Sequence, residues 1–199
     1  MRSYTIQKIQ GTPDWSKIPV MPMDQLLWAD FTDIAAQTQL CWDDEALYIR
    51  QEAKEADIRA DEEGPLSMPC VDSCMEFFFR PTERPDYMNI ELNPNKAIYL
   101  GIGTEIKNLI RLLVPKVTEI MDIQVEYIEG GWVLTYKLPF DFIRRFFPEF
   151  EAKVGGVMHA NAYKCGNKAQ RHYLVWNRIG DDTRTFHCPQ YFGELIFGE

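Results

Sequence analysis

Polar and aromatic side chains recur at every second position in several segments of the sequence. Successive side chains of a β-strand point to opposite faces, so every second residue shares a face. Residues 75–80, 87–92 and 171–176 alternate in this way, and each segment is predicted to form a strand. The side chains predicted to share one non-core face are Glu76, Asn89, Glu91, His172 and Trp176, with Asn161 from a neighbouring strand.

A sugar needs both kinds of side chain in this set. The hydroxyl groups of a pyranose donate and accept hydrogen bonds, which carboxylate and amide groups can complement. Its axial C–H groups form an apolar patch that packs on the flat face of an indole ring. We interpret the set as a carbohydrate-binding face with Trp176 as the platform. The alternative is a solvent-facing sheet of scattered polar residues with Trp176 in the core.

Catalysis and metal binding have weaker signals in the sequence. Glu76 and Glu91 are expected on neighbouring strands, and glycoside hydrolysis uses two carboxyl groups roughly 5–10 Å apart. The histidines and cysteines that could bind zinc lack the paired spacing of such a site. They are His159, Cys165, His172, His187 and Cys188. We predict buried thiols, no metal site and no cofactor, and leave a structural calcium open without placing it.

Composition and charge exclude several classes of protein. The 199 residues carry 21 basic and 30 acidic side chains, and the formal net charge of −9 would repel a phosphate backbone. No apolar run approaches the ~18–20 residues of a membrane-spanning helix. The predicted partner is therefore a carbohydrate, neither a nucleic acid nor a membrane, and no oligomeric state is predicted. A hydrophobic fraction of 46% suits one domain, expected over residues 1–199.

The cysteines and the first residues predict the compartment. The five cysteines are odd in number and match no disulfide framework, which favours free thiols in a reducing compartment. The first 15 residues lack the roughly 7–15-residue apolar stretch of a secretory signal. We expect a cytoplasmic protein, and a secreted form whose signal has been removed is the alternative.

The elements that must position the polar side chains are mostly strands. About ten short alternating segments separated by turn residues predict an all-β fold, an antiparallel two-sheet β-sandwich of the jelly-roll type. Residues 139–147 are predicted to form one short helix, because a proline precedes apolar residues at helical spacing. Residues 106–113 fit either a strand or a short helix, and the acidic residues 52–63 are expected to form a solvated loop. Trp132 is expected in the core.

Seven motifs occur in the order of a known family. They are residues 41–49 (CWDDEALYI), 72–79 (DSCMEFFF), 87–93 (YMNIELN), 131–139 (GWVLTYKLP), 161–165 (NAYKC), 172–176 (HYLVW) and 186–195 (FHCPQYFGEL). With these motifs the chain resembles family 9 carbohydrate-binding modules, specifically the stand-alone family 9-like proteins of bacteria. Those proteins share a sandwich fold with DOMON domains.

The resemblance implies a β-sandwich that binds a sugar, in known modules at the reducing end of a glucan or xylan. Those modules hold the terminal sugar between two tryptophan rings, while a Glu, an Asn and an Arg contact its hydroxyls. Glu76 matches the family's Glu and Trp176 its second Trp, whereas residues 67–70 (SMPC) stand where the first Trp is expected. The rival implied by the DOMON likeness is a haem or redox module with Met68 and His172 as ligands.

Overall fold

A computed structural model of the chain describes residues 1–29, 32–168 and 170–199. Those residues form fourteen strands and two α-helices, and neither helix is long and apolar enough to cross a membrane. The strands are β1 (Ser3–Lys8), β2 (Met21–Pro22), β3 (Gln25–Leu26), β4 (Ala35–Trp42), β5 (Ala46–Lys54), β6 (Cys74–Arg80), β7 (Tyr87–Leu92), β8 (Ile98–Gly103), β9 (Ile110–Arg111), β10 (Gln124–Ile128), β11 (Gly131–Pro139), β12 (Val157–Gly166), β13 (His172–Val175) and β14 (Gly193–Phe197). The helices are α1 (Val117–Ile120) and α2 (Phe140–Arg144).

The strands form two sheets that β1 joins. The back sheet has the order β10-β11-β5-β4, with β2 beside β4. The front sheet has the order β14-β12-β6-β7-β8-β9, with β13 also beside β12 and β3 beside β13. β1 pairs in parallel with β4 and with β14, which departs from the predicted antiparallel arrangement. The pairs within each sheet are antiparallel, and the predicted all-β fold is confirmed.

One hydrophobic core lies between the two sheets. The front sheet contributes alternate residues such as Phe77 and Ile90, and the back sheet contributes Leu134 and Trp132. Trp132 is fully buried, as predicted. Burying one large apolar side chain contributes roughly 1.5–3 kcal/mol, so each strand is held with one face inward. On the front sheet the other face is also covered in part, because a second hydrophobic cluster lies there, which includes Phe78, Tyr87 and Tyr163.

Short elements account for most of the differences from prediction. α2 lies within residues 139–147, as predicted, but α1 is a second helix that hydrophobic spacing does not reveal. Residues 106–113 contain both alternatives, a 3-10 turn at Ile106–Asn108 followed by β9. β1 was not predicted, because only Tyr4 and Ile6 mark its buried face.

A buried ion pair lies between the sheets. Lys164 Nζ on β12 is 3.0 Å from Glu55 Oε2, and both side chains are fully buried. Glu55 also accepts hydrogen bonds from Ser73 Oγ at 2.9 Å and from Trp132 Nε1 at 3.1 Å. Lys164 donates to His172 Nε2 at 2.7 Å. The predicted solvated loop is therefore wrong at Glu55, because buried partners replace the water that the carboxylate would otherwise need.

Replacing Lys164 with Met should strongly destabilise the fold. The substitution keeps the apolar stem but leaves the Glu55 carboxylate buried without its cation, which costs on the order of 3–5 kcal/mol. Urea unfolding measures this loss. Lys153→Met is the matched control, because it breaks an exposed pair with Glu151 and should leave the free energy of unfolding near wild type. Equal effects of the two substitutions would contradict a structural role for the buried pair.

Candidate functional site

The outer face of the front sheet carries a row of side chains at one register position. Glu76 on β6 lies opposite Glu91 on β7, and Glu91 lies opposite Tyr99 on β8. On the other side, β12 places Tyr163 opposite Glu76. Directly opposed residues of antiparallel strands have Cβ atoms about 4.5–5.5 Å apart, so the four side chains form a continuous row.

This row underlies a cleft of about 440 Å³. Glu76 and Glu91 provide the acidic groups of its floor, beside the thiols of Cys70 and Cys165. The Cys165 thiol donates to Glu76 Oε1 at 3.1 Å. Both glutamates are almost completely buried by the protein around them. A ligand that enters the cleft therefore meets polar groups that are already shielded from most of the solvent.

Aromatic rings form the wall on the β13 side of the cleft. Trp28 stacks on Phe186 with ring centroids 5.5 Å apart, and Phe186 stacks on Tyr163 at 4.3 Å. The edge of Tyr173 meets Trp28 at 5.0 Å. Trp28 Nε1 donates to the carbonyl oxygen of Thr183 at 2.9 Å. Trp28 has a left-handed backbone conformation (φ 58°), which is uncommon for a bulky residue, and these ring contacts hold it there.

Arg111 organises the wall on the β8 side. Its guanidinium lies 4.4 Å from the centre of the Tyr99 ring. It also donates to the carbonyl oxygen of Ser67 at 2.5 Å, which ties β9 to the loop that carries Met68 and Cys70. Both of those side chains line the cleft. The strand edge and the loop therefore form one connected wall.

Asp72 anchors the same loop. Its fully buried carboxylate accepts hydrogen bonds from the backbone N–H groups of Asp61 at 2.9 Å and Glu62 at 2.7 Å, and from Asn93 Nδ2 at 2.9 Å. Glu62 in turn accepts a hydrogen bond from the backbone N–H of Met68 at 2.9 Å. The acidic residue of the 72–79 motif therefore positions the loop and makes no part of the cleft surface.

Burial raises the pKa of both acids on the floor. The pKa of Glu76 lies well above its ordinary value, first because of desolvation and then because Cys165 and Glu91 are close. Desolvation raises the pKa of Glu91 to about 7, although Asn89 Nδ2 donates to Glu91 Oε1 at 2.8 Å and partly offsets the effect. A protonated carboxyl group donates a hydrogen bond as well as accepting one. The floor can therefore complement hydroxyl groups in either direction.

Two of the six predicted side chains, Glu76 and Glu91, reach the cleft floor. Asn89 lies on the same face but is fully buried, where it holds Glu91. Asn161 is also fully buried and braces the chain after β13: its Oδ1 accepts from the backbone N–H of Asn177, and its Nδ2 donates to the Asn177 carbonyl oxygen. The prediction that both amides meet a ligand is corrected, because neither side chain lines the cleft. Asn161 is committed to the scaffold through both of its polar groups, whereas Asn89 uses its Nδ2 on Glu91 and its buried Oδ1 has no partner.

His172 and Trp176 face the core. Leu174 on β13 lies opposite Lys164 on β12, and Lys164 lies opposite Met75 on β6. Met75 and Leu174 belong to the core, so His172 and Trp176, which share a face with Leu174, also lie on the core side of the front sheet. Trp176 is 3% exposed and packs within the core. The prediction that both side chains share a face with Glu76 is wrong, because alternation within one strand does not say which of its faces meets the core.

The two residues predicted as haem ligands are on opposite sides of the front sheet. Met68 lines the cleft, whereas His172 is fully buried on the core side, where its Nε2 accepts a hydrogen bond from Lys164. Burial, followed by the Lys164 charge, lowers the pKa of His172 to about 4. One iron cannot be bound by both side chains in this arrangement.

The cleft residues that the sequence pattern does not reveal are mainly aromatic. Trp28 follows β3, whose two residues are too few to show alternation. Phe186 lies between β13 and β14 in a segment without regular structure. Arg171 and Arg184, which are exposed at the rim, also lie outside the strands. The available signal is limited to aromatic residues beside turn residues, which is too common to predict a site.

A second cleft lies on the outer face of the back sheet. Its volume is about 470 Å³, and Trp15, Tyr48, Asp43 and Lys137 are among its lining residues. The Tyr48 hydroxyl donates to Asp43 Oδ2 at 2.8 Å. This cleft has an aromatic ring and polar groups but, unlike the front-sheet cleft, none of these side chains is a buried acid.

One group of side chains in the described residues is arranged as metal ligands could be. The ligand atoms of Cys74, Glu76 and Cys165 all lie within 4.8 Å of one another. In residues 1–29, 32–168 and 170–199 no group of three carboxylates comes as close. A structural calcium therefore has no cluster of side-chain carboxylates in that part of the chain.

The model of carbohydrate-binding family 9 matches residues 8–197. The chain belongs to carbohydrate-binding family 9. The family predicted from the seven motifs is thus confirmed. No curated protein matches the chain.

Three solved structures share the fold of this family 9 chain. A protein of Bacteroides uniformis described as a candidate carbohydrate-binding protein is 24% identical, with a TM-score of 0.84 over 98% of this chain and 99% of its own. A family 9 module of Caldicellulosiruptor kristjanssonii in complex with glucose is 12% identical, with a TM-score of 0.70 over 100% of this chain and 97% of the module. A family 9 module from the same organism in complex with cellotriose is also 12% identical, with a TM-score of 0.70 over 99% of this chain and 94% of the module.

The tryptophan at the cleft of this family 9 chain, Trp28, does not come from residues 67–70, where the family places its first tryptophan. Residues 67–70 contain no tryptophan, and the structure places Met68 and Cys70 of that segment against the cleft. Trp28, about forty residues upstream, lies at the same cleft beside Phe186. An aromatic surface is therefore present although the expected tryptophan positions do not provide it.

Replacing His187 with Gln should reduce the acid sensitivity of the fold. Burial lowers the pKa of His187 to about 4, and its Nδ1 accepts a hydrogen bond from the Tyr87 hydroxyl at 2.7 Å. The unfolded chain binds this proton near pH 6.5, so the contribution to stability is complete above pH 6.5 and is lost as the pH falls through 4. The loss between pH 7 and 4.5 should shrink by about 2 kcal/mol in the variant.

Thermal and urea unfolding across this pH range measure the difference. The buried acids are present in both proteins, so comparing the two curves isolates His187. His159→Gln is the control, because His159 is less buried and should change the curve less. A His187→Gln curve parallel to that of the wild type would contradict the buried neutral imidazole.

Proposed function

We propose that the chain is a non-catalytic carbohydrate-binding protein whose ligand occupies the front-sheet cleft. The observation that carries the proposal is the meeting of an aromatic wall with two buried, hydrogen-bonded acids at one register position. Family membership supports carbohydrate as the ligand class. The cleft is large enough for a sugar ring or two, which suits an oligosaccharide or a chain end.

The aromatic wall supplies the apolar part of the interaction. A sugar ring packed on Trp28 would cover its axial C–H groups against the indole, and Phe186 behind the indole keeps that ring in place. Because the ring is already fixed by its contacts and by its hydrogen bond to Thr183, little conformational entropy is lost on binding.

The acids supply the polar part. Glu76 and Glu91 are desolvated before the ligand arrives, so a hydroxyl that pairs with them gains more than it would at an exposed carboxylate. A ligand that lacks the matching hydroxyl leaves a buried group unpaired, which is how such sites reject close analogues. We expect dissociation constants between micromolar and millimolar, about −8 to −4 kcal/mol.

Glucose and cellotriose are the first ligands to test. Both occur in complexes of the structurally similar Caldicellulosiruptor modules. At 12% identity this similarity establishes the fold alone, so the choice of β-linked glucose is part of the proposal. A matched series of glucose, cellotriose and xylo-oligosaccharides would separate preference for the sugar from preference for chain length.

Replacing Trp28 with Ala should weaken cellotriose binding at least about tenfold, or ~1.4 kcal/mol, with little loss of stability. The indole provides the main apolar surface of the cleft but is only partly buried in the fold. Isothermal titration calorimetry measures affinity, and thermal unfolding checks the fold. Trp15→Ala, at the back-sheet cleft, is the matched control and should bind as the wild type does. If Trp15→Ala weakened cellotriose binding and Trp28→Ala did not, the binding site would lie at the back-sheet cleft and the proposal would be contradicted.

A catalytic alternative rests on the same acids. Glu76 and Glu91 are direct cross-strand neighbours, and retaining glycosidases place two carboxyl groups about 5–5.5 Å apart. Aryl glycosides distinguish the two functions. Binding without release of the aryl group supports the proposal, whereas turnover that Glu76→Gln and Glu91→Gln abolish would replace it with hydrolysis.

A further inference from the structure

Two thiols and a carboxyl group converge at the base of the cleft. Cys74 on β6 lies opposite Cys165 on β12, and Glu76 follows Cys74 by two residues, so all three point to the same face. The Cys165 sulfur lies 3.1 Å from Glu76 Oε1. The three ligand atoms all lie within 4.8 Å of one another. The arrangement is fixed by the ladder of two paired strands, which makes it more rigid than a loop site.

The distances suit a small tetrahedral ion. Zinc binds thiolate sulfur at about 2.3 Å and carboxylate oxygen at about 2.0–2.2 Å, so its tetrahedral ligands lie about 3.5–3.8 Å apart. Ligand atoms within 4.8 Å reach that spacing by side-chain rotation alone. Two sulfur ligands favour zinc and other thiophilic ions over calcium or magnesium, which prefer oxygen.

The groups around Glu76 are acidic, and no positively charged side chain of the described residues forms an ion pair with it. The groups that act on its carboxyl are themselves acidic, namely Cys165, Glu91 and Cys70. The one buried lysine nearby, Lys164, points to the core side, where it pairs with Glu55. A buried acidic cluster of this kind is stabilised by protonation or by a bound metal.

We propose that Cys74, Glu76 and Cys165 bind a thiophilic divalent cation of the zinc class. The fourth coordination position faces the cleft, where Cys70 and Glu91 lie on the floor. The two thiols, and the Glu76 carboxyl group where it is protonated, lose their protons to solvent when the ion binds, and no oxidation is involved. This site shares Glu76 with the proposed carbohydrate site, but it does not require a sugar: its three ligands all come from the chain itself.

Cobalt and zinc titrations test the site in the intact chain. Metal-free protein, purified under reducing conditions, is titrated with Co²⁺ while sulfur-to-cobalt charge-transfer absorption is followed, and native mass spectrometry counts the bound ions. We expect one ion per chain and displacement of cobalt by zinc. Absence of binding, or binding without the sulfur absorption, would overturn the proposal.

Cysteine variants locate the ligands. Cys74→Ser and Cys165→Ser should each weaken cobalt binding at least tenfold and reduce the charge-transfer absorption. Cys41→Ser is the matched control, because Cys41 is a buried thiol on β4 of the back sheet and should leave binding unchanged. Full absorption in both cluster variants would overturn the assignment.

X-ray absorption of the zinc-loaded wild type needs no variant. The proposal predicts at least two sulfur ligands at about 2.3 Å in the first shell, with oxygen completing it. A first shell of nitrogen and oxygen alone would overturn it, even if every variant failed to fold. Titrating cellotriose with and without zinc keeps the two proposals separate, since loss of sugar binding leaves the zinc result intact.

Discussion

The pairing register of β6 with β7 and β12 is the constraint on which the rest of the structure depends. It opposes Glu76 to Glu91 and to Tyr163. Alternate residues of the three strands therefore face the core between the sheets, and the others face the outer side, where the cleft and a second hydrophobic cluster lie. A shift by one residue would send Phe77 and Ile90 outward and bury the acids between the sheets. The large cost of exposing those apolar side chains therefore holds the polar groups of the cleft in place.

The same alternation separates two buried polar clusters that lie one residue apart on β12. Lys164 points inward to Glu55 and His172, where it neutralises a carboxylate in the core. Cys165 points outward to Glu76, at the base of the cleft. The inner cluster is closed, because its groups satisfy one another. The outer cluster is open, because no lysine or arginine of the described residues forms an ion pair with its acids, and these acids face a space that a ligand can enter. Function is accordingly assigned to the outer cluster.

The sequence predicts the parts of this arrangement that depend on local pattern. The family, the all-β fold and the burial of Trp132 are confirmed, because motifs and alternation carry them. The sorting of residues within each strand is also correct, and it places Glu76 and Glu91 on one face. The choice of face fails for Trp176, because alternation within β13 does not say which of its two faces meets the core. Trp28 could not be found, since only tertiary contacts place it at the cleft.

Amide NMR of isotope-labelled protein during a cellotriose titration tests the central claim most directly, because it reports the ligand's position without altering the chain. The account predicts concentration-dependent shifts concentrated at Trp28, Glu76, Glu91 and Phe186, and little change around Trp15 and Tyr48. Shifts centred on Trp15 and Tyr48, or none at millimolar ligand, would contradict it.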